Sequence, residues 1–278
     1  MRIFSRKILN LFRDIFVLIS ISKKEYVINN LLNFIGLRLG KKNRKIYFKD
    51  EHRIFKEYLE LVRFLNNKYN KISLLSGYVF SDVRDYLKFK IKFKNRVVLD
   101  VGAWIGDSIL LFYKLGAKKI IAYEPIKENV EFANNIIRKF DINCEIYPYA
   151  VCKENGIMKF IVEESEYESS GLSLFKNKVN KPKEIKVKCI SWKEVLEKAI
   201  KEKADIAKID CEGCEKFLVS MDDDLIKQIP EWIIECHSLE ISRLIFKKFI
   251  KNGFDLKGFV LVDYPDSVNI LYFKSKLF

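Results

Sequence analysis

The sequence predicts an α/β protein with a mostly parallel, doubly wound sheet that ends in a C-terminal antiparallel hairpin and is preceded by a helical N-terminal region. Two observations predict this class. From Val97 onward, short β-branched runs alternate with amphipathic helical segments, which is typical of parallel sheets. The last two apolar runs, 254–262 and 267–273, are joined only by residues 263–266, and so short a loop can form only a hairpin.

The alternating segments follow one another in a regular order. Ser191 directly precedes one helical segment and is a candidate N-cap. The Lys-, Ser- and Glu-rich stretch 163–183 lacks a clear period, so we expect a surface insertion there. We expect strands at 97–101, 119–123, 145–149, 185–190, 206–209 and 232–235, and helices at 108–115, 127–139, 192–203, near 215 and at 239–251.

We divide the chain into a basic helical accessory region, 1–90, and the α/β domain, 91–278. Residues 1–96 hold 23 of the 51 Lys and Arg residues but only 8 of the 37 Asp and Glu residues. Apolar residues from Ile8 to Ile19 recur at helical spacing among basic ones, which indicates an amphipathic helix. Three uses stay open: contact of residues 1–24 with an anionic membrane, RNA binding, or a helical cap or oligomer interface.

The compartment is inferred from the cysteines and the apolar runs. Six cysteines scattered over 278 residues do not resemble the dense disulfide framework of a small secreted domain. No apolar run approaches the roughly 20 residues that a membrane-spanning helix needs. We therefore expect a cytoplasmic protein, with peripheral contact at the inner membrane surface as the open alternative.

A glycine turn follows the first strand of the domain and is the first candidate ligand site. In open α/β sheets, ligands bind outside the carboxyl ends of the strands. Glu124 ends the second strand, 24 residues after the first strand's acidic residue, a spacing suited to binding ribose hydroxyls. The turn is carried by Asp100, Gly102, Ala103, Gly106 and Asp107.

The turn does not fit a dinucleotide. It lacks the G-x-G-x-x-G pattern that places a pyrophosphate on a helix N-terminus, since no third glycine follows Gly106. S-adenosylmethionine carries a ribose but no phosphate, and a terminal antiparallel hairpin is typical of Rossmann-like methyltransferases. We therefore predict S-adenosylmethionine as the cofactor; the simpler interpretation is an ordinary strand-to-helix turn.

Carboxylates crowd the ends of two later strands. Asp210, Glu212 and Glu215 follow the strand at 206–209, and His237 follows the strand at 232–235. Crowded carboxylates repel one another, so such clusters mark functional sites. We predict Asp210 as a general base, with Glu212 or His237 as the alternative base or as acceptor-orienting groups. The sequence leaves open whether a divalent cation assists, and we predict no metal ligands.

The cysteines beside these carboxylates have competing interpretations. Cys211-x-x-Cys214, with Cys236 and His237 downstream, has the spacing of a zinc or redox site. The simpler interpretation is that Cys211 and Cys214 are small buried residues.

Taken together, these motifs resemble the FkbM family of methyltransferases over about residues 96–240. The resemblance implies the Rossmann-like fold of class I methyltransferases and adds Pro125 and Ala150 to the cofactor-binding residues. Small or aliphatic residues are usual in the family where this chain has Cys211 and Cys214. The motifs are Val98-Leu99-Asp100-Val101-Gly102-Ala103 with Gly106-Asp107, Tyr123-Glu124-Pro125, Ala150-Val151, Lys208-Ile209-Asp210-x-Glu212-Gly213-x-Glu215 and Glu235-x-His237.

The resemblance also implies O-methylation of a hydroxyl group on a sugar, glycolipid or secondary metabolite. The expected partner is thus a small-molecule or glycan acceptor. Two alternatives remain: an RNA methyltransferase that uses the basic N-terminal region, and a non-catalytic donor-binding module. Neither an Asn/Asp-Pro-Pro-Tyr/Phe motif nor a Pro-Cys nucleophile is present, so nucleic acid is not the predicted partner.

Overall fold

The computed structural model describes Tyr86 and residues 88–163, 182–263 and 268–277. The helices predicted before residue 86, the basic segment 1–24 and most of the insertion predicted at 163–183 lie outside these residues.

The described residues form an alternating series of strands and helices. The strands are β1 Val97–Val101, β2 Lys119–Tyr123, β3 Cys144–Tyr147, β4 Ala150–Cys152, β5 Gly156–Glu163, β6 Pro182–Ser191, β7 Ile206–Ile209, β8 Glu231–Cys236, β9 Phe254–Asp263 and β10 Val268–Ser275. The α-helices are α1 Asp107–Lys114, α2 Lys127–Phe140, α3 Trp192–Lys201, α4 Asp223–Lys227 and α5 Leu239–Lys251. A 3-10 helix, Cys214–Ser220, stands where a helix near Glu215 was predicted.

Seven strands form the main sheet in the order β3-β2-β1-β7-β8-β10-β9. The first five strands in this order, β3, β2, β1, β7 and β8, run parallel to one another. Strand β10 runs antiparallel to both β8 and β9. Every residue of β1, β7 and β8 is buried, as expected for strands covered on both faces. The predicted parallel sheet with its closing hairpin is confirmed.

One predicted strand belongs elsewhere. The segment predicted at 185–190 lies in β6, which pairs with β4 and β5 in a separate three-stranded sheet. Its exposed Lys186 and Lys188 alternate with buried Val187 and Cys189. Such alternation belongs to a sheet with one solvated face, whereas central parallel strands are apolar throughout. β5 and β6 also include the two ends of the predicted insertion.

Helices cover both faces of the main sheet. On one face, α3 and α5 bury Trp192 and Phe249 against the sheet residues Trp232 and Phe273. On the other face, a second apolar cluster includes Ile109 and Phe112 of α1 and Ala133 and Ile136 of α2. Ser191 caps α3 as predicted, because its hydroxyl accepts a hydrogen bond from the Glu194 N–H. The sheet is therefore doubly wound, with its parallel strand ends held at one edge.

The segment before β1 packs on the α1 and α2 face. Tyr86 is buried there, and Phe93 stacks on Phe112 with ring centroids 4.8 Å apart. Across the described parts of the chain, no helix has both the length and the apolar character to cross a membrane.

Candidate active site

The glycine turn between β1 and α1 has a left-handed backbone at three positions. Gly102, Trp104 and Gly106 have φ of 83°, 44° and 88°. The N–H groups of Gly102 and Ala103 donate to the Tyr123 carbonyl at 2.9 and 3.1 Å. Gly102 and Trp104 are half-buried, so the turn is accessible to a ligand.

Gly102 also brings the turn against the second cluster. A Cβ atom built on it would lie 1.7 Å from the Asp210 carbonyl oxygen, so only glycine fits this approach. The turn and Asp210 therefore belong to one site.

Asp100 supports the turn from inside the domain. It is fully buried, and its Oδ2 accepts a hydrogen bond of 2.6 Å from the Ser108 hydroxyl. Its Oδ1 lies 3.2 Å from the Lys208 Nζ, which also donates to the Gly102 carbonyl at 2.6 Å. Burial raises the pKa of Asp100, while Lys208 and Ser108 oppose the shift. Burial likewise raises the pKa of the half-buried Asp107 to about 7.

Glu124 ends β2 beside the turn, as predicted. Its Oε2 accepts from the Trp104 N–H at 3.0 Å, and its Oε1 accepts from Ile126 N–H and Asn129 Nδ2 at 3.0 and 3.1 Å. Burial raises the pKa of Glu124 to about 7 against these hydrogen bonds. A carboxylate offers about four acceptor positions, and these contacts use three of them.

The other predicted cofactor-binding residues lie around this edge. Ala103 is fully buried in the turn, Pro125 is half-buried directly after Glu124, and Ala150 is buried at the start of β4. Gly106 has a tight contact with α2, since a Cβ there would lie 3.0 Å from the Ala133 Cβ.

Asp210, Glu212 and His237 meet at the carboxyl ends of β7 and β8. The His237 Nε2 lies 3.3 Å from the Glu212 Oε2 and 4.0 Å from the Asp210 Oδ1. The histidine is buried, whereas the two carboxylate side chains are 23% and 31% exposed, so the cluster opens toward solvent on their side. The three residues that the sequence predicted as catalytic thus lie together.

Buried Glu215 orients the histidine from behind. Its Oε1 lies 3.1 Å from both the backbone nitrogen and the Nδ1 of His237, and its Oε2 accepts from the Gly213 N–H at 2.8 Å. A carboxylate only accepts, so Nδ1 carries the hydrogen and Nε2 faces the other carboxylates. Burial alone would lower the pKa of His237, but Glu212 and Glu215 raise it well above its ordinary value.

The far oxygen of Asp210 has two further neighbours. Its Oδ2 accepts from the Tyr86 hydroxyl at 3.1 Å and lies 3.6 Å from the Lys208 Nζ. No role for Tyr86, Lys208 or Glu215 was predicted from the sequence. A lysine inside the buried apolar strand β7 was the available signal for Lys208, whereas nothing near Tyr86 in the sequence indicated its contact.

The cysteines beside the cluster do not form a zinc site. Cys211 and Cys214 are bonded to each other, which removes the thiolates that zinc requires, and Cys236 is buried. The disulfide closes the turn in which Glu212 has φ of 53°. A second disulfide, Cys152–Cys189, joins β4 to β6. Neither pairing was predicted from the scattered spacing of the cysteines.

The sheet order, the closing antiparallel strand and the site at the carboxyl edge define a Rossmann-like class I methyltransferase fold. Residues 100–254 match the family described as the methyltransferase FkbM domain. This match covers more than half of the chain, and the chain belongs to that family.

Solved structures resemble the chain at low sequence identity. An FkbM methyltransferase from Methylobacillus flagellatus is 15% identical with a TM-score of 0.48, and the alignment covers 66% of this chain and 44% of that one. This chain thus spans less than half of that protein. Fibrillarin from Aeropyrum pernix, solved with bound S-adenosyl-L-methionine, is 11% identical with a TM-score of 0.41, covering 66% and 68%. No curated protein matches the sequence significantly.

Proposed function

We propose that this protein is an S-adenosylmethionine-dependent O-methyltransferase that acts on a hydroxyl group of a sugar, glycolipid or secondary metabolite. The observation that carries the proposal is the contact of the glycine turn with Asp210. A donor bound at that turn lies next to a carboxylate–histidine cluster that can receive a hydroxyl acceptor.

The donor side fits S-adenosylmethionine. The turn is accessible at Gly102 and Trp104, and Glu124 lies beside it as the candidate acceptor of ribose hydroxyls. The turn also lacks the third glycine of a dinucleotide-binding loop, so it suits a donor without phosphate groups.

For this reaction the protein must mainly position the donor and the acceptor and supply a base. The sulfonium supplies a methyl group, which passes to the acceptor oxygen as the carbon–sulfur bond breaks and its electron pair returns to sulfur. Asp210 receives the hydroxyl proton, because its exposed side chain lies beside the turn. Glu212 and His237 orient the acceptor, since a carboxylate accepts hydrogen bonds from hydroxyl groups and the Nε2 of His237 lies beside Glu212.

The family supports the acceptor class, and the site supports it further. Asp210 and Glu212 are partly exposed at one rim, where they present acceptor oxygens to an incoming ligand. Neighbouring hydroxyl groups of a sugar match such a set of acceptors. A glycolipid or metabolite hydroxyl has the same chemistry.

A methyl-transfer assay tests the proposal. Labelled S-adenosylmethionine is incubated with a panel of sugars, glycolipids and phenols, and product is measured for wild type, Asp210→Asn and the control Asp224→Asn, whose side chain is 85% exposed on α4. We expect a loss of about 10²- to 10⁴-fold in turnover for Asp210→Asn alone, with donor affinity unchanged. Full turnover by Asp210→Asn would contradict the base assignment. Donor binding without transfer to any acceptor would favour a non-catalytic module.

A further inference from the structure

Within the described residues, several carboxylates lie close to the His237 ring, and Lys208 lies beside one of them. Lys208 is shared between Asp210 and the buried Asp100. Buried negative charge is unfavourable unless a cation compensates it. The carboxylates within 4.0 Å of a ring nitrogen are Glu215 at 3.1 Å, Glu212 at 3.3 Å, Glu235 at 3.9 Å and Asp210 at 4.0 Å.

Three of these side chains have the spacing of a metal ligand set. One ligand atom each from Asp210, Glu212 and His237 lies within 4.8 Å of the others. An octahedral ion bound at about 2.1 to 2.3 Å holds its ligand atoms about 3 to 4.6 Å apart. The His237 Nε2 lies 4.0 Å from the Asp210 Oδ1 and 3.3 Å from the Glu212 Oε2, both within this range.

We propose that Asp210, Glu212 and His237 bind one divalent cation of the Mn²⁺ type. Two carboxylate oxygens suit hard cations, and one imidazole nitrogen shifts the preference from Mg²⁺ toward the first-row transition metals. Three protein ligands leave coordination positions open, which is characteristic of a catalytic site.

Neighbouring residues orient the candidate ligand atoms of Asp210 and His237. Glu215 holds the Nδ1 hydrogen of His237, which leaves Nε2 for the ion, as in the carboxylate–histidine–metal arrangement. Tyr86 and Lys208 lie at Oδ2 of Asp210, so Oδ1 faces the histidine. The partly exposed sides of Asp210 and Glu212 give the ion access from solvent.

The role of the ion rests on the proposed function, whereas its binding does not. When bound, the ion would lower the pKa of an acceptor hydroxyl at this site, while Asp210, Glu212 and His237 would hold the ion. Such an ion would favour acceptors with neighbouring hydroxyl groups, such as a sugar diol.

Titration of the full-length protein with Mn²⁺ alone, followed by the electron paramagnetic resonance signal of the free ion, tests the site. We expect one ion per chain. Glu212→Gln should weaken binding about tenfold or more, whereas Glu197→Gln, an exposed carboxylate on α3, should bind as wild type does. Glu215→Gln, which removes only the support of the histidine, should weaken binding about 10- to 100-fold. Circular dichroism confirms that each variant is folded.

Two results would overturn the proposal. The first is that no ion binds at millimolar Mn²⁺, and the second is that Glu212→Gln binds Mn²⁺ with the same affinity as wild type. The donor is titrated separately with S-adenosylmethionine in the presence of a chelator. Donor binding without Mn²⁺ binding would refute the metal site and leave the proposed function standing. Mn²⁺ binding without donor binding would refute the proposed function and leave the metal site standing.

Discussion

Gly102→Ala tests the contact between the glycine turn and Asp210, and Gly253→Ala is its matched control. The two glycines have φ of 83° and 84°, so alanine introduces the same left-handed strain at both, about 1 to 2 kcal/mol. At Gly253 a Cβ meets nothing within 4 Å. At Gly102 it lies 1.7 Å from the Asp210 carbonyl oxygen, so that carbonyl must move by about 1.5 Å to reach ordinary contact.

Overpacking of this kind adds about 1 to 3 kcal/mol. Gly102→Ala should therefore lower the free energy of unfolding by about 2 to 5 kcal/mol, and Gly253→Ala by about 1 to 2 kcal/mol. Urea unfolding measures both values, and calorimetry should show weaker S-adenosylmethionine binding for Gly102→Ala alone. If the unfolding free energies of the two variants agreed within about 0.5 kcal/mol and both bound the donor equally well, a close contact between Gly102 and Asp210 would be refuted.

Four further outcomes are expected, three from the structure and one from the sequence of residues 1–24. Lys208→Met should reduce the unfolding free energy by about 3 to 5 kcal/mol in urea titrations, because Asp100 stays buried without its cation; a loss below about 1 kcal/mol would contradict this. Glu124→Gln should lower donor affinity about tenfold in calorimetry, because the amide cannot accept every hydrogen bond that the carboxylate accepts; unchanged affinity would count against ribose binding there. Lysine hydrogen bonds lower the pKa of Glu145 to about 2, so its stabilising effect is complete above about pH 4.5 and is lost as the pH falls toward 2. The melting temperatures of wild type and Glu145→Gln should therefore converge as the pH falls from about 4.5 toward 2, and a constant difference would refute the assignment. Residues 1–24 should hold the protein on anionic liposomes in sedimentation, and an equal bound fraction after their deletion would exclude that role.

Much of the main sheet could be predicted because its signals are local. Buried parallel strands are short apolar runs, so the bounds of β2 and β7 match the prediction, and those of α5 do as well. The hairpin follows from the length of one loop. The predicted catalytic residues meet because the carboxyl ends of parallel strands share one edge.

The missed features depend on contacts between distant parts of the chain. Tyr86 reaches Asp210 across 124 positions, and no local pattern encodes such a contact. The Cys152–Cys189 pair exists because β4 lies beside β6 in a sheet that was not predicted. Asp100 is fully buried against Ser108 and Lys208. Burial of this kind follows only once the strands are packed.

Calorimetric titration of the purified protein with S-adenosylmethionine tests the central claim most directly. The proposal predicts saturable binding of one donor per chain, which Glu124→Ala at the end of β2 abolishes or weakens strongly while Asp224→Asn leaves it unchanged. No binding by the wild type, or equal binding by Glu124→Ala, would contradict the assignment of the glycine turn and Glu124 as the donor site.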